Sequence, residues 1–251
     1  MTPEIIMYLI LGGFAGGFIN GFSGTGTALF AIGFFLMVME PKTAVAVVAL
    51  IAVSSGIQGL VLVRKEMRHN TSRLFRFIVP GMIGVPIGIA LLEYIDAASL
   101  RLLAAVLLIV YGCYFGFRTR LPKLERVTPV IDGSVGFVGG ILGGLASLSG
   151  ALPTIWLSMR PWPKAETRAV LQPYNFVLLV MTVIMLAIQG AYNEATLTAL
   201  AFALPAGLIA AQLGIAVFKR VSDDQFRRTL ILLCLVLGVG LLVRELFHCL
   251  Y

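Results

Sequence analysis

The chain has few charged residues and few residues suited to chemistry. Only 12% of its 251 residues are charged, and it has three cysteines and two histidines, whereas a typical soluble domain is about 25% charged. No acidic residue or histidine falls in the middle of a long apolar run, and no HExxH or Ser/His/Asp set occurs in these runs. These absences argue against a disordered chain, a disulfide-built scaffold and a cytosolic enzyme. We expect neither catalysis nor a cofactor or metal.

Apolar residues make up most of the sequence. They account for 59% of the chain, and the mean hydropathy is +0.97. The long apolar runs cover roughly residues 5–20, 27–39, 43–63, 74–92, 99–117, 130–146, 150–159, 167–189, 195–218 and 226–247. Six of these runs approach the roughly 20 residues that a membrane-spanning helix needs. The fold class predicted is an all-α polytopic membrane protein.

The runs 5–20/27–39 and 130–146/150–159 differ from the six long ones. Each pair is predicted to be two short helical pieces around a break rich in glycine, serine and threonine, at residues 20–27 and 143–150. Non-helical backbone inside a membrane is tolerated where it is buried in protein or lines a wet cavity. The two breaks are therefore the first candidates for a functional site.

The breaks belong to an internal repeat. A shift of 123 residues places three glycines on glycines, and a shift of 126 places two more further along: Gly16, Gly17 and Gly21 fall on Gly139, Gly140 and Gly144, and Gly81 and Gly88 fall on Gly207 and Gly214. The ordered series predicts two four-element repeats, residues 1–120 and 121–251, joined through the basic linker 118–126. Each repeat would be a broken-helix hairpin plus three transmembrane helices.

The basic residues predict the topology. The linkers 64–76, 118–126, 160–168 and 219–228 hold five, four, three and four of them, which is 16 of the 19 in the chain. If both broken pairs are hairpins, all 16 face the cytoplasm. If each broken pair instead crosses the membrane as a single span, ten basic residues lie on one side and nine on the other. The positive-inside rule favours hairpins, and hence periplasmic termini in a bacterial inner membrane. An odd number of crossings per repeat makes the second repeat inverted, which is typical of secondary transporters.

The breaks suit a small anion. The short helices should begin near Thr27 and Ala151, where unpaired N–H groups carry partial positive charge. Gln172 and Asn175 share a helix face, and Arg168 begins the same run. The candidate substrate-binding residues are Asn20, Ser23, Gly24, Thr25, Gly26, Thr27, Ser147, Ser149, Gly150, Arg168, Gln172 and Asn175. The alternatives are capping and close packing at the breaks, interhelical hydrogen bonds for the amides, and a topology-setting charge for Arg168.

The lack of carboxylates within the runs bears on energy coupling. Proton relays use intramembrane Asp, Glu or His, so a carboxylate-based proton symporter is disfavoured. An inside-negative potential drives an anion outward with about 2.3 kcal/mol per charge per 100 mV. We expect export driven by the potential, with sodium coupling as an open alternative.

Three further features identify a family resemblance. They are the glycine-rich segments Gly12–Thr27 and Gly133–Pro153, the Pro-Lys pairs at 41–42 and 163–164, and the Arg168-Ala169 pair that enters the next run. In these the chain resembles the TauE/SafE family of sulfite exporters and related sulfur-anion transporters. The resemblance implies transport of sulfite, sulfonates or organosulfur acids. The alternatives are a channel-like anion-conducting protein and an importer of another small organic anion. The expected partners are the anion, the lipid bilayer and, as a further candidate, a second copy of the chain, but no nucleic acid.

Overall fold

The secondary structure is helical throughout the part of the chain that is described. The computed structural model describes residues 2–69, 71–117 and 128–222, with residues 225, 232, 235, 236, 238–240, 242 and 243. The helices are α1 (Pro3–Ser23), α2 (Thr27–Phe35), α3 (Pro41–His69), α4 (Thr71–Leu92), α5 (Ala97–Phe117), α6 (Pro129–Ala146), α7 (Ala151–Ser158), α8 (Lys164–Ile188) and α9 (Glu194–Arg220). Proline opens α1, α3 and α6, where its missing N–H costs no helical hydrogen bond. The all-α prediction is confirmed.

Seven of these helices are long and apolar enough to cross a membrane, which confirms a polytopic membrane protein. The prediction that each broken pair consists of two short pieces was wrong for the first piece of each pair, which is a long helix. The helix α1 has 21 residues and α6 has 18, whereas α2 has nine and α7 eight. The glycines near the ends of α1 and α6 continue the helix because neighbouring helices pack against them. The linker 118–126 and nearly all of the run 226–247 lie outside the described residues.

The first broken pair is a hairpin. Gly16 of α1 lies against Thr27 and Ala31 of α2, and Gly12, one turn earlier in α1, lies against Phe35, two turns later in α2. The contacts move backwards along α1 as the chain advances along α2. The helix α2 therefore returns alongside α1 instead of continuing its direction.

The second broken pair is also a hairpin, and a polar cluster closes its open end. Near the break, Gly143 of α6 packs on Ser149. At the other end, Asp132 in the first turn of α6 forms an ion pair of 3.1 Å with Arg160, just beyond α7, and accepts a hydrogen bond of 2.7 Å from Trp156. Both charged residues are buried. The start of α6 and the end of α7 are thus held at the same level, and sequence analysis had not singled out either charge.

Two pairs of helices approach each other closely through glycine. A methyl group on Gly17 of α1 would overlap the Gly207 carbonyl of α9, and one on Gly140 of α6 would overlap the Gly81 carbonyl of α4. The repeated contacts are Gly13–Ala203, Gly17–Gly207 and Gly21–Ala211, and Gly136–Phe77, Gly140–Gly81 and Gly144–Val85. The two sets are related by shifts of 123 and 126 residues, the same shifts as in the sequence. This packing supports the internal repeat, and the inverted orientation of the second repeat stays a prediction.

Candidate functional site

The first break is a three-residue turn between α1 and α2. Gly24 ends α1 with φ 84° and donates its N–H to the Asn20 carbonyl at 2.8 Å. Gly26 precedes α2 with φ 94°. Both conformations are left-handed, which favours glycine. No side chain accepts a hydrogen bond as an N-cap of α2, so its first turn keeps N–H groups that a ligand could use.

The second break also connects a long helix to a short one, but it does so with different residues. The helix α6 ends at Ala146, Ser147 is left-handed with φ 57°, and α7 begins at Ala151 without a side-chain N-cap. Short helices were predicted to begin near Thr27 and Ala151, and they begin at these residues. The described breaks are shorter than predicted, because the helices continue through Ser23 and Ala146.

The two breaks are in direct contact. The hydroxyl oxygens of Thr25 and Thr154 are 3.2 Å apart. A Cβ atom on Gly150 would lie 2.7 Å from the Cβ of Thr25, so the second break can approach the first only because it has a glycine at this position. Thr154 also donates a hydrogen bond of 2.6 Å to the Gly150 carbonyl.

A cavity lies where the breaks meet. Its enclosed volume is about 20 Å³, room for about one water molecule, and it opens to solvent at its mouth. Hydroxyl groups line it from the first hairpin and from the first turn of α7, and the first turn of α2 also borders it. Its polar lining includes Ser23, Thr25, Gly26, Gly150 and Thr154, and its apolar lining includes Ile19, Leu29, Phe30, Tyr111 and Ala151.

The electrostatics of this cavity favour negative charge. A helix N-terminus is equivalent to about half a positive elementary charge, and the cavity borders the N-termini of both α2 and α7. A threonine hydroxyl can rotate to donate to a bound group. An anion between the breaks would therefore meet two helix N-termini and the hydroxyls of Thr25 and Thr154.

Several predicted residues lie beside the cavity without lining it. Asn20 donates hydrogen bonds to Ala52 and Ser55 of α3, at 3.0 and 2.6 Å. Ser147 donates a bond of 3.1 Å to the Val45 carbonyl of α3. These two residues fix the breaks to α3. Gly24 and Thr27 flank lining residues, and the Thr27 hydroxyl is buried without a hydrogen-bond partner.

The amides of α8 contact different breaks. Gln172 packs against Gly24 of the first break, whereas Asn175 accepts a hydrogen bond of 2.5 Å from Ser149 of the second. Arg168, one turn before Gln172, is 2% exposed and donates to the carbonyls of Gly21 and Phe22 at the end of α1. The start of α8 thus packs against the first break and the end of α1.

Thr154, Tyr111 and Phe30 were missed as candidate residues. Thr154 could have been found, because it lies one helical turn after Gly150 and therefore on the same face of α7. Tyr111 lies in α5, 81 residues after Phe30 and 39 residues before Gly150, and no local pattern brings it to the cavity. The long-range packing of α5 determines its position.

Comparisons with known proteins agree with the helical membrane fold and with the resemblance seen in the sequence. No curated protein and no solved structure matches the chain. A protein-family model described as "Sulfite exporter TauE/SafE" matches residues 9–241. The match covers all nine described helices apart from the first six residues of α1.

Proposed function

The chain belongs to the sulfite exporter TauE/SafE family, and from this premise we propose that it is a secondary transporter that exports a small sulfur-containing anion. The substrate class is sulfite, a sulfonate or an organosulfur acid. The proposed location is the bacterial inner membrane, with both termini periplasmic. The transport cycle is alternating access around the two breaks.

The cavity between the breaks carries this proposal. It is bordered by two helix N-termini and by the hydroxyls of Thr25 and Thr154, one from each hairpin. Discontinuous helices whose N-termini point at an anionic group are a recurrent arrangement in transporters built from inverted repeats. A substrate held between the two hairpins contacts both repeats, so movement of one repeat against the other would change its access.

The membrane potential supplies a driving force for export. An anion leaving a cell with a negative interior gains about 2.3 kcal/mol per charge per 100 mV. Export of a monovalent anion would therefore need no second ion at ordinary resting potentials. This part of the proposal is independent of which sulfur anion is carried.

Transport assays in proteoliposomes test the proposal. Radiolabelled sulfite should move faster across liposomes that contain the protein, and an imposed potential should change the rate. Thr25→Val and Thr154→Val keep the side-chain shape and remove the hydroxyl. Each variant should raise the sulfite concentration for half-maximal transport about tenfold or more, since a hydrogen bond to a charged group contributes about 1.5–3 kcal/mol.

The matched control is Ser134→Ala. Ser134 is exposed in α6, and its hydroxyl donates to the Val130 carbonyl within the same helix. This variant should transport sulfite as the unchanged protein does. If the unchanged protein moves no sulfur anion of the three classes, the proposal fails. If transport ignores the potential and requires a pH gradient, export driven by the potential is wrong.

A further inference from the structure

Arg168 is a buried cation at the start of α8. It is 2% exposed, and its guanidinium donates hydrogen bonds of 3.2 and 3.0 Å to the carbonyls of Phe22 and Gly21. The same group lies 4.5 Å from the centre of the Phe218 ring, near the end of α9. Arg168 thus joins the start of α8 to the ends of α1 and α9.

The partners of this guanidinium are neutral. Among the described residues, no carboxylate forms an ion pair with Arg168, whereas Arg73 pairs with Glu166 and Arg160 pairs with Asp132. Its Nε is buried without a hydrogen-bond acceptor. A buried charge held only by carbonyl groups and a ring is incompletely compensated, so an anion would be a stronger partner than the present ones.

The first break lies directly against this group. A Cβ atom on Gly24 would be 3.1 Å from Nε of Arg168 and 2.5 Å from Oε1 of Gln172. The Gln172 oxygen is also buried without a partner, while its amide nitrogen donates to the Gly56 carbonyl of α3 at 3.3 Å. The residues before and after Gly24 line the substrate cavity. One peptide segment therefore separates the cavity from Arg168.

We propose that Arg168 is a latch that the transported anion opens. With the site empty, Arg168 ties α8 to the end of α1 and closes the side of the first break that faces the start of α8. An anion that arrives from this side, predicted to be cytoplasmic, takes over the guanidinium from the two carbonyls. The start of α8 then separates from α1 and the path to the cavity opens.

The exchange of partners has a physical basis. The two bonds from Arg168 to carbonyls have a charged donor but neutral acceptors. An anion in their place adds a direct attraction between opposite charges, which is strong in a buried site. A ligand shifts a conformational equilibrium only if it binds one state better than the other. An anion meets this condition, because it bonds to Arg168 in the open state and is excluded from it in the closed state. The latch rests on the proposed function, since it needs an anionic substrate.

Hydrogen–deuterium exchange of the protein in lipid nanodiscs tests the latch. The region observed is the start of α8, residues 164–172, and the probe is sulfite. In the unchanged protein, sulfite should raise exchange in this region. Arg168→Gln should raise it about tenfold without sulfite, because the tie to α1 is lost, and should abolish the response to sulfite. Arg168→Lys keeps the charge and should retain part of that response.

Arg64→Gln is the control, because Arg64 is exposed near the end of α3 on the same predicted side. It should leave both exchange and the sulfite response unchanged. If Arg168→Gln exchanges no faster than the unchanged protein, the latch is overturned. A second outcome is that Arg168→Gln exchanges faster, while the unchanged protein transports sulfite but shows no rise in exchange with it. In that case, opening by the anion is overturned. If no anion of the three proposed classes is transported and none changes exchange, the proposed function fails and the latch fails with it.

Discussion

At the first break, Gly24 satisfies two steric demands at once. Its φ of 84° is left-handed, and a Cβ atom added to it would overlap the side chains of Gln172 and Arg168. Gly190, at the turn between α8 and α9, has a similar φ of 71° but no atoms within 4 Å of an added Cβ. Gly190 therefore requires glycine only for its backbone conformation, whereas Gly24 requires it for its backbone conformation and for close packing.

Alanine substitutions at these glycines should differ in cost. Gly190→Ala should lower the free energy of unfolding by about 1–2 kcal/mol, the cost of a left-handed conformation with a side chain. Gly24→Ala should cost more, because the new Cβ also displaces Gln172 and Arg168. Thermal unfolding of the purified proteins in one detergent measures the difference. Equal shifts in the melting temperature would show that the first break tolerates movement of α8.

At the scale of single residues, the sequence predicts which residue types lie at the breaks better than it predicts which of their side chains face the cavity. Ser23, Thr25, Gly26 and Gly150 line the cavity, because a break places its own residues at the site wherever the helices go. Ser147 has the same chemistry, but its side chain bonds to α3. Which of several hydroxyls faces the cavity depends on helix packing, and local sequence does not encode it.

At the scale of helices, close packing decides the effect of a glycine substitution. Gly17 and Gly140 occupy corresponding places in the two repeats, and each contacts a backbone carbonyl of a neighbouring helix. Gly133 is also helical, but an added Cβ would lie 3.6 Å from Pro80, an ordinary contact distance. All three glycines are helical, and they differ in what packs against them.

Alanine should therefore have opposite effects at these positions. Gly17→Ala and Gly140→Ala should both destabilise the fold, by similar amounts, because each new methyl group overlaps a carbonyl oxygen. Gly133→Ala should leave stability unchanged or raise it by up to about 1 kcal/mol, since alanine favours helix over glycine. Thermal unfolding and the yield of monodisperse protein measure the effects. A tolerated Gly17→Ala would contradict the close approach of α1 and α9.

The ion pair at the open end of the second hairpin should matter more than an exposed one. Asp132→Asn removes the buried carboxylate that pairs with Arg160 and should cost about 3–5 kcal/mol. Glu166→Gln removes the exposed pair with Arg73, at 3.6 Å, and should cost about 1 kcal/mol or less. Thermal unfolding of both variants provides the comparison. Similar small losses for both would mean that the second hairpin does not depend on the pair.

Helix positions were predictable to within a few residues because apolar runs and the helices they form coincide. The continuation of α1 and α6 through their terminal glycines was not predictable. The neighbours that stabilise these glycines are on α9 and α4, which lie far away in the sequence. The Asp132–Arg160 pair was missed for a related reason, because its partners are 28 residues apart and meet only when α7 folds back on α6.

At the scale of the whole molecule, the sequence predicts a repeat because a similar series of glycines occurs twice in the chain. Of the five glycine pairs that match at shifts of 123 and 126 residues, four lie where α1 meets α9 and α6 meets α4, while Gly16 and Gly139 pack inside their own hairpins. Most of the sequence match thus coincides with two helix–helix interfaces. The membrane orientation of the repeats is a separate matter, since packing is the same whichever side faces the cytoplasm.

The charge distribution makes a definite prediction about that orientation. With both broken pairs as hairpins, reporters at residues 122 and 162 should be cytoplasmic, and reporters at residues 94 and 190 periplasmic. Residue 162 is decisive, because it changes sides if the second broken pair crosses as a single span. The hairpin of α6 and α7, closed by Asp132 and Arg160, places it on the side where α6 begins. Fusions to paired reporters, one active in the cytoplasm and one in the periplasm, measure each position. A periplasmic signal at residue 122 would reverse the assignment of all 16 basic residues and remove the argument for export towards the periplasm.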